Sequence, residues 1–380
     1  MRSAILSSSF FSVLSLLGSS QNAQATIIED LIGDVAFAPV SVTLDTPDAA
    51  TNINGVVHVV GQHDGKAARQ LIDLTTGTVG QVEFFDSLLS AQGNGGNQTG
   101  MIRGVQQLND GSVLYVGDSA GNLSMVQPTY WTTQNNPDTF FSSGQEAAGF
   151  LYASAADGTT VGNIGVPVYA SPGGSFTQLP GFGAVRADDI SVDARYIVGS
   201  SVWVANGTGG YAFFDTSTFD LSVSGGLPEW RAVAIDPVIG DAVFAGSYFD
   251  LNTFSENVGF WRADGSFIGA SVNGSLFRDF EVWEGQLVAA VSSFGVGYLH
   301  AISDFSTIAL SSILGVDADI YDDGLFVGSA GFLSSGANGA FITTRTTHDP
   351  FGGGTEVPEP ATCTLVAMAL AFAVRKRSIS

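Results

Sequence analysis

The sequence predicts an all-β protein, a β-propeller of seven four-stranded blades, on three observations. A unit of four short apolar strands, best formed from Arg231 to Val272, recurs along the chain at roughly 40–45 residues, the period of propeller repeats. Its turns fall on Asn-Gly, Asp-Gly and related pairs, the residues that tight hairpins require. No segment between residues 26 and 350 has a helical period of useful length. The same turn spacing also fits a pair of β-sandwiches, the alternative fold.

The best unit shows how the pattern is read. Arg231 to Ile235 is a short apolar strand, and Pro237 to Asp241 is a turn, because proline and glycine disrupt a central strand. Ala242 to Ser247 is an almost uninterrupted apolar run, suited to a strand buried on both faces. Asp250 to Asn257 is a polar loop, and Gly259 to Arg262 is a third strand. Asp264-Gly265 then turns the chain into a fourth, Ser266 to Val272. The end of the second strand recurs at Gly61, Gly117, Gly162, Gly199, Gly246 and Gly328, with Ala290 in that place in the sixth copy. The third strand recurs at Tyr130-Trp131, Val168-Tyr169, Phe213-Phe214, Tyr298-Leu299 and Phe341-Ile342. The last unit stops after its third strand, near Thr344. An N-terminal strand at Asp34 to Phe37 is therefore expected to complete it and remove both sheet edges.

Residues 1–25 read as a secretory signal peptide. Arg2 is the basic end, Ile5 to Leu17 a short apolar stretch, and Ala23-Gln24-Ala25 a small-x-small site with cleavage after Ala25. The body, residues 26–350, is strongly acidic: the whole chain carries a formal net charge of −23, and Lys66 is the body's one lysine. Such a charge repels nucleic acid and anionic lipid. With 23 of the chain's 27 Phe the body has enough apolar matter for a large core. Its lack of cysteine excludes disulfides and thiolate metal sites there, since Cys363 lies in the tail.

Residues 351–380 read as a tail: a glycine linker, Val357-Pro358-Glu359-Pro360, an apolar run from Ala361 to Val374, and Arg375-Lys376-Arg377. As a helix the run spans about 21 Å, short of the roughly 30 Å hydrocarbon core. It suits a transient stop held by its basic end, with a permanent anchor as the alternative. This arrangement closely resembles the PEP-CTERM sorting signal of bacterial exported proteins. The resemblance implies transfer to an exosortase, a membrane cysteine protease-transpeptidase, at the Pro-Glu-Pro, in systems that accompany exopolysaccharide and surface-matrix production. It covers only the tail and implies an address, not an activity. The processing residues are thus Ala25 on the signal-peptide reading and, on the resemblance, Val357, Pro358, Glu359, Pro360, Arg375, Lys376 and Arg377. The body is similar to extracellular HAF-type repeats at Asp110 to Ser119, at Asp189-Ile190-Ser191 with Tyr196 to Ser200, and at Ala212-Phe213-Phe214. The His-Ala-Phe triplet itself is absent, and that resemblance implies no enzymatic residue.

No catalytic constellation stands out. His58, His63, His300 and His348 share no metal-ligand spacing, and His58, inside a V-V-H-V-V strand, is expected to be buried and hydrogen-bonded. No nucleophile elbow, phosphate loop or dinucleotide fingerprint is present. Asp317, Asp319, Asp322 and Asp323 offer calcium ligands in a spacing that departs from the usual loop, against a solvated strand end and turn. No other cofactor is expected. Arg103, Arg186, Arg231 and Arg278 each open the first strand of a unit. If that strand is innermost they form a collar at one channel mouth, either paired with local carboxylates such as Asp188 or Asp279 or able to hold an anionic glycan. The expected function is that of a non-enzymatic exported propeller at the cell surface or in the extracellular matrix, structural or binding in role. Its partners would be signal peptidase and exosortase, then exopolysaccharide or surface proteins. The alternative is a glycosidase or lyase on the same scaffold.

Overall fold

A computed structural model describes residues 27–32, 35–73, 76–91, 98–121, 125–141, 147–180, 186–199, 202–207, 210–213, 220, 222, 228–314, 319–320, 331–336 and 339–347. They form seven four-stranded antiparallel sheets, six of them built from four consecutive strands. The first strands of those six are Thr46–Ile53, Gly100–Gln107, Phe150–Ser154, Asp189–Ile190, Glu229–Asp236 and Ser275–Trp283. Each touches the first strand of the next sheet in the series, so these strands are innermost and the sheets follow one another around an axis. In the fourth sheet Val202–Gly207 is the third strand. Phe213 therefore ends the fourth strand, not the third as its place in the repeat suggested.

The seventh sheet joins the two ends of the fold. Its strands are Asp319–Ile320, Gly331–Gly336 and Gly339–Thr347, and its fourth is Val35–Ser41 from the start of the chain. The pairing runs from Val35 opposite Thr347 to Ser41 opposite Phe341. The closing strand is thus the one expected, extended beyond Phe37. Pro39 fits within it because this strand lies at the outer edge of the sheet, where a missing N–H costs no ladder bond on the open side.

The core is divided into layers between neighbouring sheets. One layer packs Val60 and Ala67 of the first sheet against Ile102, Tyr115 and Trp131 of the second. Another packs Val243, Ala245 and Phe260 of the fifth against Leu287, Ala289 and Val291 of the sixth. A second strand therefore has core on both sides, which is why its sequence is apolar without alternation. Two buried tryptophans repeat one device. Trp131 donates to the Asp86 carbonyl at 2.8 Å, and Trp261 donates to the Asp220 carbonyl at 3.0 Å. Each pins the connection arriving from the preceding sheet.

Alternating strand direction gives the ring two faces. Inner strands start at one, here the entry face, which also carries the turns between second and third strands and the connections between sheets. The exit face carries the other turns. Many of those use aspartate as an acceptor: Asp110, Asp157, Asp264 and Asp304 take hydrogen bonds from the backbone N–H two residues on. The short helix Ile27–Ile32 is tied to this face by Ile27 N–H to Asp304 and Ile28 N–H to Ser306. Thr347 ends on the same side. The expected signal helix and tail helix lie outside the described residues.

Removing residues 26–41 should leave the edge of Gly339–Thr347 unpaired and produce aggregates on size exclusion. A monomer that melts like the intact chain would contradict the closure.

Candidate functional site

The candidate site is the ring of residues where inner strands begin. In five sheets the inner strand carries a β-bulge near its start, and the extra residue is Asp48, Arg103, Tyr152, Arg231 or Arg278. A bulge turns its residue out of the ladder and sharpens the local twist. It also brings backbone close to the second strand. A Cβ added at Gly61, Gly117, Gly162 or Gly199 would stand well inside 3.0 Å of the carbonyl oxygen of Thr46, Met101, Phe150 or Arg186. At these four places glycine leaves room for the inner strand's carbonyl.

This register corrects two sequence expectations. Arg186 is not equivalent to the other three arginines. Gly199 faces Arg186 and Ala187 as Gly117 faces Met101 and Ile102, so Asp188 holds the bulge place in the fourth sheet. Its N–H bonds the Val198 carbonyl at 2.8 Å. In the sixth sheet Phe277 pairs with Val291 as Ile102 pairs with Gly117, so Val291, not Ala290, stands where the glycine recurs. Asp48 and Tyr152 are ring members that sequence reasoning missed. Unequal turn lengths, two residues at Asn54-Gly55 and longer at Asp236 to Gly240, shift the offset between bulge and glycine, and only the register restores it.

The side chains form a belt across four sheets. Arg103 Nε donates to Asp118 at 2.9 Å, and its Nη1 lies 3.7 Å from Asp48 of the preceding sheet. Its guanidinium also lies over Phe150 and Tyr152 of the following sheet, at 5.0 and 5.9 Å. Arg186 also lies over the Tyr152 ring, at 5.5 Å, and pairs with Asp188. Farther round, Arg231 pairs with Glu229 at 3.0 Å, and Arg278 donates to Ser292 at 2.7 Å. Burial pushes the Asp118 carboxyl up against the pull of Arg103. Losing Arg103 would take the guanidinium from the buried Asp118 carboxyl, so this arginine serves the fold. Arg103, Arg186 and Arg231 thus each stand beside a carboxylate, while the bond shown for Arg278 goes to a serine hydroxyl.

Two carboxylates follow the bulge in the sixth sheet. Asp279 and Glu281 alternate with Phe280, which packs on Phe260 of the fifth sheet, so both project from the opposite side of the strand. Burial, then the neighbouring Asp279 charge, pushes Glu281 up to about 8, while the Val282 N–H acts the other way. Asp189, at the corresponding place in the fourth sheet, accepts the Val233 N–H of the fifth at 3.0 Å and ties two inner strands together.

The histidines behave as packing groups. His58 is buried, bonded through Nδ1 to the Tyr115 hydroxyl at 2.8 Å, and burial beside Arg69 lowers it to about 4. His300 is bonded at both nitrogens, to Ser271 and Thr307, and burial lowers it to about 4. Asp317, Asp322 and Asp323 lie outside the described residues, as does His348. Asp319 opens the seventh inner strand opposite Ser335. Among the described residues no three His, Cys, Asp or Glu side chains come together as a metal site. The sorting residues Ala25, Val357 to Pro360 and Arg375 to Arg377 also lie outside them.

With this geometry in view, the likeness to solved structures can be weighed. The chain is similar to YCF48 bound to a D1 peptide, at 11% identity and a TM-score of 0.50, over 85% of this chain and 98% of that one. It is similar to the β-propeller domain of Cps50 (Swd1) from Myceliophteria thermophila, at 8% identity and a TM-score of 0.52, over 83% and 100%. The fold is a β-propeller. At such identities the likeness carries fold and nothing of function. No family model matches the chain, and no curated protein matches it.

Two substitutions test this site. Gly117→Ala should cost at least about 2 kcal/mol in urea unfolding, because backbone, not a flexible side chain, blocks the new methyl. A cost under half that would mean the bulge yields. Glu281 is protonated in the fold where the unfolded chain is ionised, so it binds more protons folded and its contribution falls as pH rises from about 4.3 towards 8. Part of the side chain still meets solvent, which moderates the effect. Glu281→Gln should therefore gain about 1–3 kcal/mol on wild type between pH 5 and pH 8.5. A constant difference between the two melting curves would show that Glu281 titrates normally.

Proposed function

We propose that this chain is an exported, non-enzymatic β-propeller in which each of the seven sheets is one blade, displayed at the cell surface or in the extracellular matrix as a binding or structural module. The observation that carries the reading is the pair of addresses around the repeat body: the basic, apolar and small-residue order of residues 1–25, and the Val357-Pro358-Glu359-Pro360, apolar run and Arg375-Lys376-Arg377 order of the tail. The described elements run from Ile27 to Thr347, so cutting after Ala25 and near Pro358 to Pro360 removes no described strand. Signal peptidase and exosortase are the processing partners, and membrane association through the tail is transient. Calcium at Asp317, Asp319, Asp322 and Asp323 remains a secondary proposal. For an anionic glycan the two useful arginines are Arg186 and Arg231, whose side chains keep 49% and 33% of their exposure beside their carboxylate partners. Double replacement by alanine should weaken uronate-polysaccharide binding at low salt and leave the fold intact.

A second reading, a glycosidase or lyase, draws on Glu281. A carboxyl held protonated beside another carboxylate is the kind of pair that divides acid from base. Hydrolysis of any polysaccharide that Glu281→Gln abolishes would favour it. The main reading is tested by mass spectrometry of the mature protein, which should show a start at Thr26 and no Arg375 to Arg377. Surface-isolated molecules that mostly retain those basic residues would sink the sorting reading.

A further inference from the structure

Five of the twelve large apolar side chains left exposed among the described residues gather in one place, and the two most exposed are among them. On the entry face of the fifth and sixth sheets stand Phe249, Leu251, Phe254, Leu276 and Phe294. Phe254 and Phe294 are 78% and 91% exposed. Both occupy turns between second and third strands, and both have positive φ, 51° in each case. A bulky residue gains nothing from that conformation, which suits glycine, asparagine or aspartate. The corresponding turn of the first sheet, Asp64-Gly65, uses aspartate at the same place. Phe305 also has positive φ, at 55°, but its ring stacks on His300 and meets Phe260, so packing offsets the strain. For Phe254 and Phe294 solvent takes the place of that packing.

The two turns are held as one surface. Ser255 donates to Asn257, Asn257 accepts the Gly274 N–H at 3.2 Å, and a Cβ at Gly274 would strike the Phe294 ring. The fifth sheet meets the sixth through the Ser275 hydroxyl, which accepts the Val258 N–H at 3.0 Å. Strain that local packing does not offset, in side chains that turn chemistry would not select, points to a partner.

We propose that this patch docks a polypeptide segment carrying apolar and basic side chains. The apolar part follows from the five residues. The basic part follows from charge: Asp250 and Glu256 bracket the exposed turn, Asn252 N–H holds the Asp250 carboxyl below its usual range, and the whole chain stands at −23. That charge opposes pairing with a second copy and with anionic partners at this place. Ile27 and Thr347 both leave from the exit face. On the sorting reading proposed above, the patch therefore faces away from whatever holds the tail, which sets it against a lipid surface.

The test uses the full chain and a fluorescein-labelled 16-residue peptide of leucine and lysine in alternating pairs. Fluorescence anisotropy should show binding that weakens at least tenfold with Phe254→Asn and Phe294→Asn together. These changes suit the turn and keep the net charge, so the melting temperature should hold or rise. The same peptide with glutamate in place of lysine should bind at least tenfold more weakly to the wild type. Equal binding by the double variant would mean that the lysines merely follow net charge, and the proposal would fall. Equal binding of the glutamate peptide, no binding of the lysine peptide, or a lower melting temperature in the variant would also overturn it. So would adsorption to phosphatidylcholine vesicles, or dimers in sedimentation, that the double change abolishes. None of these outcomes depends on tail processing, so the sorting reading can fail while this one stands.

Discussion

The close approach of two backbones is the constraint on which the ring depends. Where an inner strand bulges, its carbonyl presses on the second strand, and glycine is the residue that leaves room at Gly61, Gly117, Gly162 and Gly199. In five sheets the bulge sends one side chain out of the ladder, and the second strand has core on both faces. Repetition of one tight contact therefore bears on the sequence pattern, the layered core and the residues where inner strands begin. Val291 shows the tolerance of the scheme: in the sixth sheet a larger residue stands opposite the same kind of bulge, on a nine-residue inner strand, Ser275–Trp283.

The charge of the molecule has a structural origin as well as a surface one. Aspartates at Asp110, Asp264 and Asp304 are turn formers, and hydrogen bonds to the following serines help hold their carboxyls below the ordinary range. Because the bonded form is the ionised one, their support is present above the ordinary carboxyl pKa and fades as pH falls through the lowered values. Arg103, Arg186 and Arg231, in contrast, stand where inner strands begin, each against a carboxylate, and Arg103 and Arg186 also lie over aromatic rings. Few cations are needed because few acids are buried without one.

The repeat was legible because a second strand with core on both sides writes an apolar run, as at Ala242 to Ser247, and because hairpins write Asn-Gly and Asp-Gly. The closing strand was legible for a related reason: the last unit lacked a partner, and Asp34 to Phe37 had strand character. Bulge register was not, since a shift of one residue leaves composition unchanged and turn lengths differ from sheet to sheet. That is how Arg186 came to be grouped with Arg103 and Arg231, and how Asp48 and Tyr152 escaped notice. Phe254 and Phe294 were hidden differently. A phenylalanine at positive φ carries no turn signature, and only exposure sets it apart from the Phe that fill the core.

The origin of the seventh sheet has a consequence for timing. Among the described strands Val35–Ser41 is made first and its partner, Gly339–Thr347, last. On a ribosome or in a translocation pore the early sheets can form and stack in order, but the first strand must wait for about three hundred residues to arrive. Throughout that wait an unpaired strand end is available to any neighbouring chain at the same stage. A chaperone, or a slow and solitary passage, would serve this molecule best near the end of its synthesis.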